Sequence, residues 1–307
     1  MGFKDTDYLT NFEMFLLTER RVAQNTFAAY KRDIEQFLRF LKSNKLNLKK
    51  CGKPQLKKFL RTLKNNGSTA KTLSRKISSL KLFFSFLHDR YELQNKASTL
   101  IFPKIEKTLP VYLTEKELQT LFDTANKDNS FRGIRNKVML SLLYASGMRV
   151  SELVNMTVDK INFETGFVMI KGKGGKERMV PLPQNVIDLL RFYLKNIYKM
   201  LLPKGLDQQL EEKKYLFPVG YKKRVKPISR QLFWAILKKI ILKSGIKKNV
   251  SPHSLRHSLA THLLKKGANI RLLQVLLGHE RLTTVQVYTH LEDSQLRKEY
   301  DKKHPRA

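Results

Sequence analysis

The sequence predicts a mainly α protein of two domains: an N-terminal four-helix domain, then an α-rich domain with a small β-hairpin. Three observations carry this. Residues 1 to about 95 repeat apolar side chains at helical spacing almost without interruption. The clearest β signal is a pair of apolar runs around Gly172-Lys173-Gly174-Gly175. At 307 residues the chain is long enough for two separate cores. The predicted boundaries are a helical domain at 1–95, a linker at 96–110 and a second domain at 111–307.

The first predicted helix spans residues 8–19, with Leu9, Phe12, Phe15 and Leu16 as its apolar stripe. Thr26 is the expected N-cap of the second, whose face bears Tyr30, Ile34, Phe37, Leu38 and Leu41. Pro54 opens the third, with Leu56, Phe59, Leu60 and Leu63, and Asn65-Asn66-Gly67 ends it. Ser68 begins the fourth, whose Leu80, Phe83, Phe84, Phe86 and Leu87 are expected in the core rather than as a base-stacking platform. Its other face is assigned Lys71, Arg75, Lys76 and Lys81, and the earlier helices add Arg20, Arg21, Lys31 and Arg32. So one-sided a distribution suits phosphate contacts, with Lys31, Arg32, Lys71, Arg75, Lys76 and Lys81 as candidate DNA-binding residues.

The linker holds Pro103 and Pro110, lacks helical period and is basic at Lys104 and Lys107. Two domains on such a tether suit closure around a duplex. Beyond it, Thr114 and Glu117 form a capping-box pattern. Residues 132–145 read as a strongly apolar helix running into Ser146-Gly147-Met148-Arg149. Gly147 permits a tight turn that presents Arg149 at the mouth of the next helix, with Glu152 three residues on to orient it. The hairpin strands are 167–171 and 178–182, and Lys173 at the tip is placed to reach a phosphate or a groove. Nothing here matches a P-loop. Ser229 is the expected cap of a helix holding Phe233, Trp234, Ile236 and Leu237, with Trp234 in the core.

Charge narrows the class of partner. Sixty Lys and Arg against 26 Asp and Glu give a formal net charge of +34, far beyond what solubility needs. This points to a polyanion. No apolar run is long enough to cross a membrane, and no basic amphipathic anchor stands out. The single cysteine, Cys51, excludes disulfides within the chain and fits a reducing compartment, cytoplasm or nucleoid. The start MGFKDT lacks a signal-peptide core, and its match to a myristoylation pattern through Gly2 and Thr6 is weak.

The chemistry concentrates in residues 251–291, which hold His253, Arg256, His257, His262, His279, Tyr288 and His290. Ser251 and Pro252 make a good helix start, and His253 and Arg256 then share a face. Leu272 to Leu277 read as a second short helix closed by Gly278, with His279 just beyond it. A metal site is disfavoured: there is no HExxH, no cysteine nearby, and the local carboxylates are Glu280, Glu292 and Asp293. Phosphate chemistry fits better. Arginine forks match phosphodiester oxygens, histidines donate or move protons, and tyrosine is a covalent nucleophile. A free phenolate costs about 4 kcal/mol at neutral pH, which a cationic cluster offsets.

GMRVSEL, KGKGGKERMVPL, SPHSLRHSLATHLL, LLGHERLTTVQVYTHL and the terminal HPRA resemble the tyrosine recombinase (phage-integrase-like) family, in particular bacterial Xer recombinases of the XerD and XerC kind. TFAAYKRDIEQFLRFL extends the likeness into the first domain. The resemblance implies the tyrosine recombinase fold, with a SAM-like core-binding domain before the catalytic one. It implies catalytic roles for Arg149, Lys173, His253, Arg256, His279 and Tyr288, with Glu152 in support and His257, His262 and His290 structural or supporting. It further implies cleavage through a 3′-phosphotyrosyl bond without cofactor, metal or ATP, and a tetramer of protomers on two double-stranded DNA sites. A related Xer partner, an FtsK-type translocase and chromosome-dimer resolution at a dif-like site belong to the same expectation. Integration of a phage or mobile element and DNA binding without cleavage are the alternatives. Residues 293–303 are the candidate for docking on a neighbouring protomer. Residues 195–226, longer and more basic than the family pattern, carry no implied role.

Overall fold

The computed structural model describes residues 5–105, 111–172, 175–201, 214–221, 224–278 and 293–305. The chain divides into two compact units, Met1–Thr108 and Leu109–Ala307.

The first unit is built from α1 (Asp5–Thr18), α2 (Gln24–Ser43), α3 (Lys53–Asn65) and α4 (Ala70–Tyr91). Its core is aromatic: Phe12, Phe37, Phe59, Phe83, Phe84 and Phe86 are all buried, and Phe12 meets Phe83 edge-on with ring centroids 5.0 Å apart. The stripe of α4 is core, as its spacing requires. Three helix starts differ from the sequence expectation, the first being α1, which opens at Asp5 rather than at residue 8. The second helix begins at Gln24 after Ala23, which makes no side-chain cap bond, so Thr26 lies inside it. The fourth is capped by Thr69, whose hydroxyl accepts from the Thr72 N–H, rather than begun by Ser68. Ala97 and Leu100, within the expected linker, are buried in this unit's core.

Lys76 also departs from its expected place. It is buried, and its ammonium donates to Asp33 Oδ1 at 2.8 Å and Gln36 Oε1 at 2.6 Å. Arg75 and the Ser79 hydroxyl bond the other Asp33 oxygen. Asp33 and Lys76 each interrupt an apolar stripe, on α2 and α4, and a buried charge is tolerated only against a partner.

The second unit begins with α5 (Glu115–Asn126), where Thr114 and Glu117 form the predicted capping box. Helix α6 (Phe131–Ser146) follows, capped by Ser130 and buried along most of its length. A five-residue helix, α7 (Val150–Val154), leads to a three-stranded antiparallel sheet of β1 (Ile161–Asn162), β2 (Phe167–Lys171) and β3 (Glu177–Pro181) in the order β1-β2-β3. Then come α8 (Gln184–Phe192), a two-stranded sheet of β4 (Pro218–Tyr221) and β5 (Arg224–Pro227), α9 (Arg230–Ser244), α10 (Pro252–Lys265), α11 (Ile270–Leu277) and α12 (Asp293–Lys303).

Ser229 caps α9 as expected, its hydroxyl accepting from the Leu232 N–H. Trp234 is not core: it is 40% exposed, because Phe233, Leu237 and Ile241 at four-residue intervals take the inward face. Helix α12 packs on its own unit. Tyr300 is fully buried, donates to the Ala145 carbonyl at 2.7 Å and stacks on His304. Among the described residues, no helix is long and apolar enough to cross a membrane.

Candidate active site

The site is assembled from the ends of elements, where backbone groups lack intrahelical partners. Helix α6 ends at Gly147, which adopts φ +59° as its C-cap. A side chain here would be strained by that angle, and its Cβ would stand 2.9 Å from methyl carbons of both Leu259 and Leu277. The turn delivers Arg149 to the N-cap position of α7.

Glu152, three residues on, secures it twice. One carboxylate oxygen accepts the Arg149 backbone N–H at 2.7 Å and the other its guanidinium at 3.0 Å. The sequence-level pairing of these two residues is therefore present.

Helix α10 starts as its sequence predicts, with Ser251 accepting from the Ser254 N–H and Pro252 in the first turn. His253 is exposed, and Arg256 lies one turn along, half-buried. The Arg256 guanidinium donates to the Gly147 carbonyl at 2.6 Å and to the Leu277 carbonyl. It thus ties the turn before Arg149 to the last turn of α11, which Gly278 closes at φ +61°.

Sequence reasoning passed over the residue that completes this arrangement. Arg178, on β3, sends both terminal nitrogens to Glu152, at 3.1 and 2.7 Å, and its Nε to the Leu276 carbonyl at 3.0 Å. It was legible in one respect. Arg178 shares the inward phase of β3 with Val180, where a lone charge signals a buried partner.

Electrostatics follow from this crowding. Burial lowers the Arg256 guanidinium to about 10, and the charges of Arg149 and Arg178 add to the effect while Glu152 opposes it. Burial pushes the Glu152 carboxyl up, but the hydrogen bond and charge of Arg178, then the backbone and side-chain hydrogen bonds of Arg149, outweigh it and leave the group below its ordinary value. Glu152 is the carboxylate bonded to two of these three guanidinium groups, so the centre keeps an excess of positive charge and guanidinium donors for an anion.

Lys173, His279, Tyr288 and His290 lie outside the described residues. His262 is buried and its Nδ1 lies 2.8 Å from the Tyr144 hydroxyl, a packing role. The His257 ring meets Tyr112 edge-on. Among the described residues, no group of three or more His, Cys, Asp or Glu side chains is placed to hold a metal ion. In the first unit, Arg32 and Lys71 are exposed. Lys31 pairs with Glu13 at 2.9 Å, Lys81 sits 5.0 Å over the Phe102 ring, and Arg75 and Lys76 are engaged by Asp33.

Residues 111–295, which hold every one of these second-unit groups, match the phage integrase family, and residues 9–91 match the phage integrase N-terminal SAM-like domain. The chain belongs to the phage integrase family. The tyrosine recombinase XerD of Staphylococcus saprophyticus is 39% identical over 295 residues, covering 95% of this chain and 97% of that protein. Two solved structures share the fold. The Tn1549 transposon integrase in complex with circular intermediate DNA gives a TM-score of 0.69 at 19% identity, covering 97% of this chain and 99% of that one. XerH recombinase bound to its difH substrate gives 0.66 at 24% identity, covering 97% and 84%. This phage integrase family member is thus an enzyme, a site-specific DNA recombinase of the tyrosine type similar to XerD.

Proposed function

We propose that this recombinase cuts and rejoins double-stranded DNA with Tyr288 as nucleophile, and that its task is to resolve chromosome dimers at a dif-like site. The observation that carries the reading is the placement of Arg256 on the carbonyl of Gly147, two residues before Arg149, in a centre where guanidinium charge exceeds carboxylate charge. A phosphodiester, which gains charge on its non-bridging oxygens during displacement, is the anion that such a pair of forks complements.

In this reading the Tyr288 oxygen attacks phosphorus as the bond to the 5′-oxygen breaks. Lys173 gives the leaving oxygen its proton, and His253 moves the proton of the phenol. Arg149 and Arg256 bind the non-bridging oxygens, and His279 donates to the same phosphate. The 3′-phosphotyrosyl bond keeps the energy of the broken linkage, so a 5′-hydroxyl from the partner strand reverses the step without ATP. Two duplexes and four strands imply four protomers. Likeness to XerD over nearly the whole chain supports the chromosomal role, with a related recombinase and an FtsK-type translocase as the partners that role implies.

The test is a covalent trap: nicked suicide duplexes carrying candidate dif-like sites, incubated with the protein in EDTA. An SDS-resistant protein–DNA adduct that is absent in Tyr288→Phe is the expected result. A duplex that the protein binds but never captures, even with a related recombinase added, would reduce the protein to a DNA-binding one. Capture on the ends of a mobile element in preference to dif-like duplexes would replace the chromosomal role with integration.

A further inference from the structure

The roles above leave Arg178 unused, yet it is among the most deeply placed charges in the second unit, at 5% exposure. The Glu152 carboxylate is shared between two arginines, with one oxygen accepting from a terminal nitrogen of each, at 3.0 and 3.1 Å. The other accepts the Arg149 backbone N–H and the second terminal nitrogen of Arg178, both at 2.7 Å. Two bonds from each arginine give the carboxylate a full set of donors. The two differ in exposure. Arg149 keeps 35% of its side chain open to solvent, while all three guanidinium nitrogens of Arg178 are committed to Glu152 and to the Leu276 carbonyl.

The surrounding backbone leaves room for this group. A Cβ at Gly278 would come within 3.2 Å of the Arg178 Cδ and Nη1, and one at Gly172 within 3.6 Å of Nη1. Gly172 stands at the end of β2, and Gly278 at the end of α11. Arg178 therefore occupies the junction of three segments that the catalytic reading uses: the Arg149 turn, the hairpin and the end of α11.

We propose that Arg178 is a positioning residue for DNA cleavage, fixing the Arg149 guanidinium through Glu152 while holding the end of α11 to the same carboxylate. The inference rests on the reading of Arg149 as a phosphate-binding group. Its logic is preorganisation. An arginine aimed at a developing charge is effective only if its orientation is set before the reaction, and a misplacement of about 1 Å costs on the order of a hundredfold in rate. A lysine at 178 keeps the charge but cannot supply a fork to both oxygens and a third donor to Leu276.

The experiment uses the full chain with Arg178→Lys and the suicide duplex that the unmodified protein captures best. The duplex is prepared with either a phosphodiester or a methylphosphonate at the scissile position. Methylphosphonate carries no charge, so it relaxes the demand for an oriented guanidinium. Arg178→Lys is expected to lower phosphodiester cleavage about a hundredfold, with duplex affinity unchanged. It is also expected to raise the ratio of methylphosphonate to phosphodiester rates by on the order of tenfold or more, the same direction expected of Arg149→Ala. The ratio compares two substrates on one variant, so partial unfolding scales both rates alike and leaves it unmoved. Cleavage by Arg178→Lys at the unmodified rate overturns the inference, and so does an equal loss on both substrates. Failure of the unmodified protein to form any Tyr288 adduct would instead overturn the reading on which the inference rests.

Discussion

The Arg256 guanidinium hydrogen-bonds to the carbonyl of Gly147 at 2.6 Å, joining residues 109 apart in the chain. Its other terminal nitrogen bonds the Leu277 carbonyl. One side chain thereby sets the spacing of three segments. Arg256→Lys preserves the charge but can satisfy only one of these carbonyls well. Cleavage is expected to fall by on the order of a hundredfold, the scale of losing one transition-state donor, with a much smaller change in duplex affinity. Single-turnover adduct formation alongside a binding isotherm measures both.

Gly147→Ala tests the turn itself. The positive φ and the two methyl groups 2.9 Å from a new Cβ act together. The expected cost is about 1–3 kcal/mol of stability, read as a lowered urea midpoint. Adduct formation should fall further than stability explains, because Arg149 follows the turn directly.

Glu152 has a pH signature. Its folded-state value is lowered from the ordinary 4.5, so its contribution is fully present above that value and is lost as pH falls through the lower folded value. Glu152→Gln should lower the melting temperature at neutral pH, and the gap from the unmodified protein should close on titration below about 4.5. A gap constant from pH 7 to pH 3 would contradict the assignment.

In the first unit, Asp33 faces the buried Lys76 and the half-exposed Arg75. Asp33→Ala leaves the Lys76 ammonium buried without its counter-charge and should cost about 3–5 kcal/mol. Asp33→Leu combined with Lys76→Met should recover most of that loss, since apolar replacement of a buried pair is often neutral. Chemical unfolding of the three proteins makes the comparison.

DNA affinity should fall steeply with salt, each neutralised phosphate adding about −0.9 to the log–log slope. Arg32→Ala and Lys71→Ala, at exposed positions, should each reduce that slope by about one phosphate. Lys76→Met should leave it unchanged, because that ammonium is spent on Asp33 and Gln36. Equilibrium binding at several salt concentrations separates the three.

Much of the local structure was legible in the sequence. The caps at Thr114, Ser229 and Ser251, the stops at Gly147 and Gly278, and the β2–β3 hairpin are all where residue chemistry puts them. Each is a short-range effect, decided by a hydroxyl, a positive φ or a period within a few residues. The mainly α fold with its small sheets was legible for the same reason. The family blocks also pointed to the recombinase identity that the match over residues 111–295 shows.

Less local features are not legible in this way. Its charge alone puts Lys76 on the outward face, although it lies between Leu73 and Leu80 on the apolar stripe of α4. Asp33 breaks the stripe of α2 in the same way, and two opposite charges on two apolar stripes were a signal of pairing. Size alone puts Trp234 inside, whereas the inward direction of α9 belongs to its neighbour Phe233.

By itself, the sequence determined the helical elements with most of their ends, the polyanion partner that a charge of +34 demands, and the residue types available for phosphate chemistry. Tertiary structure decided which partner each charge meets: Arg178 with Glu152 across 26 residues, Lys76 with Asp33 across 43, and Arg256 with the Gly147 carbonyl across 109. The reason is physical. Periodicity and capping act within a single element, whereas the free energy of a buried charge depends on a partner a few ångströms away, which only the folded chain supplies.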